Sequence, residues 1–174
     1  MPVYHSTLTN EQAPTVCGAS ILPLKTMIRG PAPSAGADDV DIIDEAINFF
    51  RANVLFRSFE VDGGADRVLV YLTVYIGECL RQLSRFSDKA SGSKHLFTFS
   101  KAEFSIPGEP GFTLGGFFTH PANRAEADTF RAYFRQLREE CAQRILERVY
   151  DSNGQANKFW MAFSKRQFMN MKAC

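Results

Sequence analysis

Ala65-Asp66-Arg67-Val68-Leu69-Val70-Tyr71-Leu72-Thr73-Val74-Tyr75-Ile76-Gly77-Glu78-Cys79-Leu80-Arg81-Gln82-Leu83-Ser84-Arg85 decides the fold. Its middle, Val68 to Ile76, is rich in β-branched and aromatic residues, which favour a strand. The apolar pattern nevertheless runs on through Cys79, Leu80 and Leu83, with Gly77 the only breaker. A run of about 21 residues is too long for an ordinary strand and spans roughly 30 Å as a helix. Apolar side chains all round its circumference place such a helix inside a protein. The reading is a buried helix in the centre of the domain, packed on several sides.

On the N-terminal side, Asp38 to about Phe56 reads as a helix. Asp38, Asp39, Asp41, Asp44 and Glu45 crowd its first turns, where the helix dipole favours negative charge. Ile43, Ile47, Phe50 and Val54 then fall on one face. Residues 1–37 read as extended or irregular, closed by the linker Gly30-Pro31-Ala32-Pro33. On the C-terminal side, residues 86–121 are mixed. Ser91-Gly92-Ser93 reads as loop, and His95 to Phe104 alternates weakly, as a short strand or hairpin would. Pro107-Gly108-Glu109-Pro110-Gly111 is a dense turn cluster. Asn123, with Glu126 three residues on, caps a long helix whose stripe is Phe130, Tyr133, Phe134, Leu137, Cys141, Ile145 and Val149. Glu140 and Arg144 form a favourable i,i+4 pair on it. A last helix is expected from Asn157 to Met169.

The chain has 174 residues, enough for one domain with a real core, and is 45% hydrophobic and 22% charged. Its net charge of +1 gives no global field for nucleic acid or anionic membrane. No segment is long and apolar enough to span a bilayer, and no secretory signal opens the chain. The expectation is therefore no membrane and no nucleic-acid partner. Cys17, Cys79, Cys141 and Cys174 show no CxxC pairing, and His5, His95 and His120 are equally scattered, which argues against zinc and for reduced structural thiols.

Sites of chemistry are weakly signalled. The glycine-rich run Gly108 to Gly116 is followed by Phe117 where a phosphate-binding loop needs Lys. No Gly-x-Ser-x-Gly nucleophile motif occurs. The acidic run at Asp38 to Glu45 is accounted for by helix-start electrostatics. No catalytic, cofactor-binding or metal residue is assigned. The C-terminus differs. Asn157 to Cys174 holds Lys158, Lys165, Arg166 and Lys172 and no acid, while residues 1–63 hold four basic and eight acidic residues. Lys165 and Arg166 have two readings: cations serving a helix C-terminus, or part of a basic, aromatic-rich face (Phe159, Trp160, Phe163, Phe168, Met169) that docks on an acidic partner. Nucleic acid is a weaker alternative, since four charges make a small footprint.

Several blocks carry a further signal. They include Met1-Pro2 with Tyr4-His5-Ser6; Gly30-Pro31-Ala32-Pro33; Asp44-Glu45-Ala46-Ile47; Ala65-Asp66-Arg67; Ile106-Pro107-Gly108-Glu109-Pro110-Gly111-Phe112; Pro121-Ala122-Asn123; and Lys165-Arg166-Gln167-Phe168-Met169-Asn170. In order and spacing the chain resembles subunit 3 of the actin-related protein 2/3 complex, the branching nucleator of actin. The match departs at Thr7 to Ser20, Asp88 to Ser93 and the tail after Asn170. The resemblance implies one domain over 1–174, mostly α, with about five main helices. One central helix is surrounded by the others, and an irregular N-terminal segment and a Pro/Gly-rich loop complete it. It also implies a non-enzymatic subunit without cofactor, in the cytoplasm and actin cytoskeleton of cortical or leading-edge networks. Its partners would be the other six subunits, chiefly actin-related protein three, and the actin filament at the branch junction. Partner-face candidates are the C-terminal Phe159, Trp160, Lys165, Arg166 and Phe168, the loop residues Ile106 and Phe112, and then Tyr4 and His5.

Overall fold

The computed structural model describes residues 3–10 and 12–171. Met1, Pro2, Lys172 and Cys174, which enter the sequence argument, lie outside the described residues. The chain is mostly helical. A two-stranded antiparallel hairpin, β1 (Thr15–Val16) and β2 (Ala19–Ser20), precedes helices α1 (Ile42–Asn53), α2 (Gly64–Leu83), α3 (Lys89–Lys101), α4 (Arg124–Val149) and α5 (Lys158–Met161). A 3-10 turn, Phe168–Asn170, follows.

The ambiguous stretch is α2. Val68, Leu69, Leu72, Ile76, Leu80 and Leu83 are wholly buried. The helix packs against α1, α3, α4, β2 and the 3-10 turn, so opposite sides of its cylinder are covered by different elements. Gly64 opens it because a Cβ there would lie 2.2 Å from Ser20 Oγ and 2.8 Å from Ser20 N, so only glycine lets α2 come this close to β2.

Helix α1 starts later than the acidic run suggests. Asp41 is its N-cap, accepting from the Asp44 N–H, while Asp44 accepts from the Asp41 N–H. Helix α4 begins at the expected cap, with Asn123 Oδ1 accepting from the Glu126 N–H at 2.9 Å. Its first half carries an aromatic cluster, with Phe118, Phe130, Phe134 and Tyr71 meeting mainly edge to face.

Two expectations are corrected. Ser91 to Phe104 is neither a loop nor a strand; most of it is α3. Asp88 caps that helix by accepting from the Ser91 N–H, and Gly92, Leu96 and Ser100 form the narrow seam it buries. Gly92 is there for packing, because a Cβ would lie 2.3 Å from Tyr150 Oη. The expected helix from Asn157 to Met169 is one α-turn, a run of turns and a 3-10 turn. Met169 and Asn170 adopt positive φ (50° and 57°) and break any helix there. Unwinding takes Phe163 to Phe50 of α1 and Phe168 to Phe59. Within residues 1–37, read as extended or irregular, the tight turn Cys17-Gly18, both at positive φ, makes the β1–β2 hairpin.

Candidate partner interface

The N-terminal strip is held by two buried carboxylates. Glu45 of α1 accepts from Ser6 Oγ (2.6 Å), the Thr7 N–H (2.9 Å) and Thr7 Oγ1 (2.6 Å). Asp66 of α2 accepts from the Ser6 N–H (2.8 Å), the Asp62 N–H (3.0 Å) and His5 Nδ1 (2.6 Å). Asn53 exchanges two hydrogen bonds with the backbone of Tyr4. These contacts leave the Tyr4 ring exposed but stacked on Phe49, centroids 5.1 Å apart. His5 lies with Asp62 and Asp66, ligand-type atoms within 4.8 Å of one another, and its ring also meets Phe59 at 4.9 Å. Facing two carboxylates, Nδ1 carries the proton, and the group ties the strip to α2.

The C-terminal segment reaches the same side of the molecule. Trp160 is 6% exposed and stacks on Phe50, and buried Phe168 meets Phe59 edge to face. His5 and Phe168, at opposite ends of the chain, thus share one aromatic neighbour. Phe159 is 71% exposed, and the Arg51 guanidinium lies over both Phe159 and Trp160, at 5.7 and 5.4 Å. Lys165 and Arg166 are exposed in a turn beyond α5, so neither caps a helix C-terminus. They border a groove of about 490 Å³ whose other walls include Val54, Leu55, Arg57 and Met169, with three cations and no carboxylate among its described lining residues. Arg57 and Leu55 were missed from sequence. No local signal marks them, because only the fold brings the exit of α1 against residues 165–170.

The loop candidates lie elsewhere. Ile106 is buried, and Phe112 packs inward on Phe118 and Phe130 at 5.5 and 6.3 Å. Gly108 and Gly111 take positive φ (90° and 91°), which shapes the turn. Glu109 accepts from the Ile106 N–H and pairs with Arg131, and these two contacts, in that order, hold its carboxyl below the usual range. An open groove of about 700 Å³ beside it is lined by residues including Phe104, Glu109, Arg131 and Arg135. The nine candidates therefore separate. Tyr4, His5, Phe159, Trp160, Lys165, Arg166 and Phe168 gather around the C-terminal half of α1 and Phe59, while Ile106 and Phe112 join the start of α4. Trp160, Phe168 and Ile106 are part of this chain's own core.

An ionic hub fixes α1 to α4. Arg144 donates to both oxygens of Asp41 (2.6 and 2.8 Å), to Asp44 (3.1 Å), to Glu140 (3.0 Å) and to the Lys25 carbonyl (2.7 Å). Burial opposes the charged form of Asp41. Hydrogen bonds from Arg144, Lys25 and Asp44 outweigh that cost and hold the carboxyl below 3.8. The acidic run thus does more than start a helix. Among the described residues the thiols are buried and not activated. Burial, then Glu126, pushes Cys17 up to about 12, and burial pushes Cys79 up to about 12. Among the described residues no helix is long and apolar enough to cross a membrane.

Fold and surface together define a small, mostly helical protein that presents aromatic and basic faces set on a rigid frame. Residues 1–173 match the family described as P21-Arc, the ARP2/3 complex ARPC3 (21 kDa) subunit. The chain is 52% identical to actin-related protein 2/3 complex subunit 3 of Dictyostelium discoideum, covering 97% of this chain and 98% of the relative. It is 45% identical to the subunit 3 of Arabidopsis thaliana over 97% and 98%, and 42% identical to that of Schizosaccharomyces pombe over 98% of each. The chain belongs to the actin-related protein 2/3 complex subunit 3 family.

Proposed function

We propose that this chain is a non-enzymatic structural subunit of the actin-related protein 2/3 complex. It assembles with the other six subunits, docks chiefly on actin-related protein three, and supports nucleation of branched filaments in the actin cytoskeleton. The observation that carries this reading is the end-to-end match to relatives that bear that subunit's name. The work is scaffolding: α2 serves as the central post, binding energy fixes a partner's position, and no bond is made or broken. The docking face is the region around Tyr4, Phe159, Lys165 and Arg166, with its basic, partly apolar groove. An acidic partner surface suits it, because its described lining residues carry cations without a carboxylate.

The test is the pair Lys165→Glu and Arg166→Glu. Both side chains are exposed, so the unfolding free energy of the free chain is expected to move by about 0.5 kcal/mol or less. Co-purification with the other subunits is expected to fall severalfold, most at low salt, where the reversed charges are least screened. Unchanged recovery would remove this face from the reading. A pull-down that returned no actin-related subunits would remove the reading itself.

A further inference from the structure

Of the chain's asparagines, Asn153 alone is followed by glycine. Asn153 is exposed, and the Asn153-Gly154 step lies at the centre of the turn that leaves α4. Asp151 builds that turn. Its carboxylate accepts from the Asn153 and Gln155 N–H groups, both at 2.9 Å, and its carbonyl accepts from the Gly154 N–H at 3.0 Å. Gly154 takes a φ of 75°, which glycine reaches without strain. The turn fastens α3 to the exit of α4. The Gly154 carbonyl accepts from the Lys89 N–H at 3.3 Å, Gln155 bridges Asp88, the N-cap of α3, and Ala156 bridges Tyr150, the C-cap of α4.

We propose that the Asn153-Gly154 step is a site of spontaneous modification that unfastens α3 from the exit of α4. The Gly154 amide nitrogen gives up its proton and attacks Cγ of Asn153. The new N–Cγ bond closes a succinimide, the Cγ–Nδ2 bond breaks, and the side-chain nitrogen leaves with that proton as ammonia. Water then opens the ring. Cleavage of the N–Cγ bond gives aspartate, and cleavage of the bond from nitrogen to the main-chain carbonyl carbon gives isoaspartate. Nothing is oxidised or reduced, and water is the only co-reactant. Glycine has no Cβ to obstruct the attack, whereas every other asparagine precedes a residue with a side chain. Either product places a new negative charge in a turn that already holds Asp151 and bridges Asp88. Isoaspartate also lengthens the main chain by one carbon, which shifts Gly154 out of register with Asp151 and Lys89. The fold sets the pace, because the attacking nitrogen is bonded to the Asp151 carbonyl and the turn must open before it reacts.

The test ages the full chain in mildly alkaline buffer made with heavy-oxygen water and follows it by peptide mapping. Asn153 is expected to convert ahead of every other asparagine, taking up heavy oxygen from the water. Isoaspartate, read as a methyl acceptor for an isoaspartate-specific carboxyl methyltransferase, is expected as the larger product. The native chain is expected to convert severalfold more slowly than the same chain in guanidinium chloride. Asp151→Ala, which removes two of the bonds that hold the turn, is expected to close much of that gap. In the aged native chain, hydrogen exchange at the Lys89 amide is expected to rise severalfold while the Tyr133 amide of α4 is unchanged, and Asn153→Gln is expected to keep Lys89 protected through the same ageing. Several results would overturn the proposal: an Asn153 that stays intact in the native chain, conversion without heavy oxygen, a rate equal in the native chain and Asp151→Ala, or Lys89 exchange that is the same before and after conversion.

Discussion

Arg144→Met tests the joint between α1 and α4. In the native chain the Arg144 guanidinium makes five hydrogen bonds, and its main partner Asp41 is 2% exposed. Methionine keeps the aliphatic stem in place but leaves Asp41 with two backbone donors, Lys25 N–H and Asp44 N–H, and with Lys25 Nζ, which pairs with Asp44, as the neighbouring cation. Removing one partner of a buried pair costs about 3–5 kcal/mol, and the two remaining donors place this case near about 3 kcal/mol. At this chain length that lowers Tm by roughly 6–12 °C. The pH dependence carries a sign. Native Asp41 sits below its ordinary 3.8, so its contribution is complete above that pH and is lost as pH falls through the lower folded value. Without Arg144 the depression is lost, and the gap between the two proteins is expected to narrow below pH 3.8. Urea unfolding followed by circular dichroism at pH 7, 5 and 3 measures it. A gap under about 1 kcal/mol at pH 7, or one equal at all three pH values, would refute the hub. Arg144→Met with Asp41→Asn should recover part of the loss, since the orphaned charge goes with it.

Glu45→Ala removes the three hydrogen bonds that Glu45 accepts from Ser6 and Thr7, leaving the Ser6 N–H on Asp66. It should cost about 2–3 kcal/mol and abolish hydrogen-exchange protection of the Thr7 amide, while amides of α4 stay protected. Gly92→Ala should destabilise even though alanine is the better helix former by about 1 kcal/mol, because the new Cβ meets Tyr150 Oη. Adding Tyr150→Phe should recover most of the loss, and Tyr150→Phe alone should be near neutral, since that buried hydroxyl has no hydrogen-bond partner among the described residues. Trp160→Ala should cost about 3 kcal/mol or more while Phe159→Ala stays within about 0.5 kcal/mol, as thermal melts of the two variants would show. Iodoacetamide at pH 8 should leave Cys17, Cys79 and Cys141 unmodified in the native chain, and peptide mapping reads this directly.

Helices α2 and α4 were legible because each signal they need is local. Length settles the first against its β-branched composition, and a cap with an uninterrupted stripe settles the second. Helix α3 was not legible, because its glycine and two serines argue for a loop and the decisive reason for Gly92 is the hydroxyl of Tyr150, far along the chain. The final segment failed in the opposite way. Its aromatic spacing mimics a helical stripe, yet Phe163 and Phe168 pack on different partners, and a straight helix could not serve both. Among the interface candidates, residue type identified Phe159, Lys165 and Arg166 as exposed, but it treated Trp160 and Phe168 alike although both are core. Leu55 and Arg57 carry no sequence mark at all. Only the exit of α1 folding back against residues 165–170 makes them one wall of a groove.

The two ends of the chain deserve one physical reading. Terminal segments are ordinarily the loosest part of a domain, and ordering them on binding consumes free energy that then does not appear as affinity. Here Glu45 and Asp66 together accept six hydrogen bonds from or just beside the first strip, and both are buried, so that strip is ordered in the free chain. The last segment is seated by Trp160 on Phe50 and by Phe168 on Phe59. Phe59 also meets His5, so the two ends brace one ring. Tyr4 and Phe159 are thus presented to solvent on ordered backbone, as the docking face proposed above requires. A scaffold is useful to the extent that its contacts hold fixed positions, and this double seating supplies that. Loosening either end should weaken partner binding through the other, and a Glu45→Ala chain that bound partners at full affinity would sink this account of preorganisation.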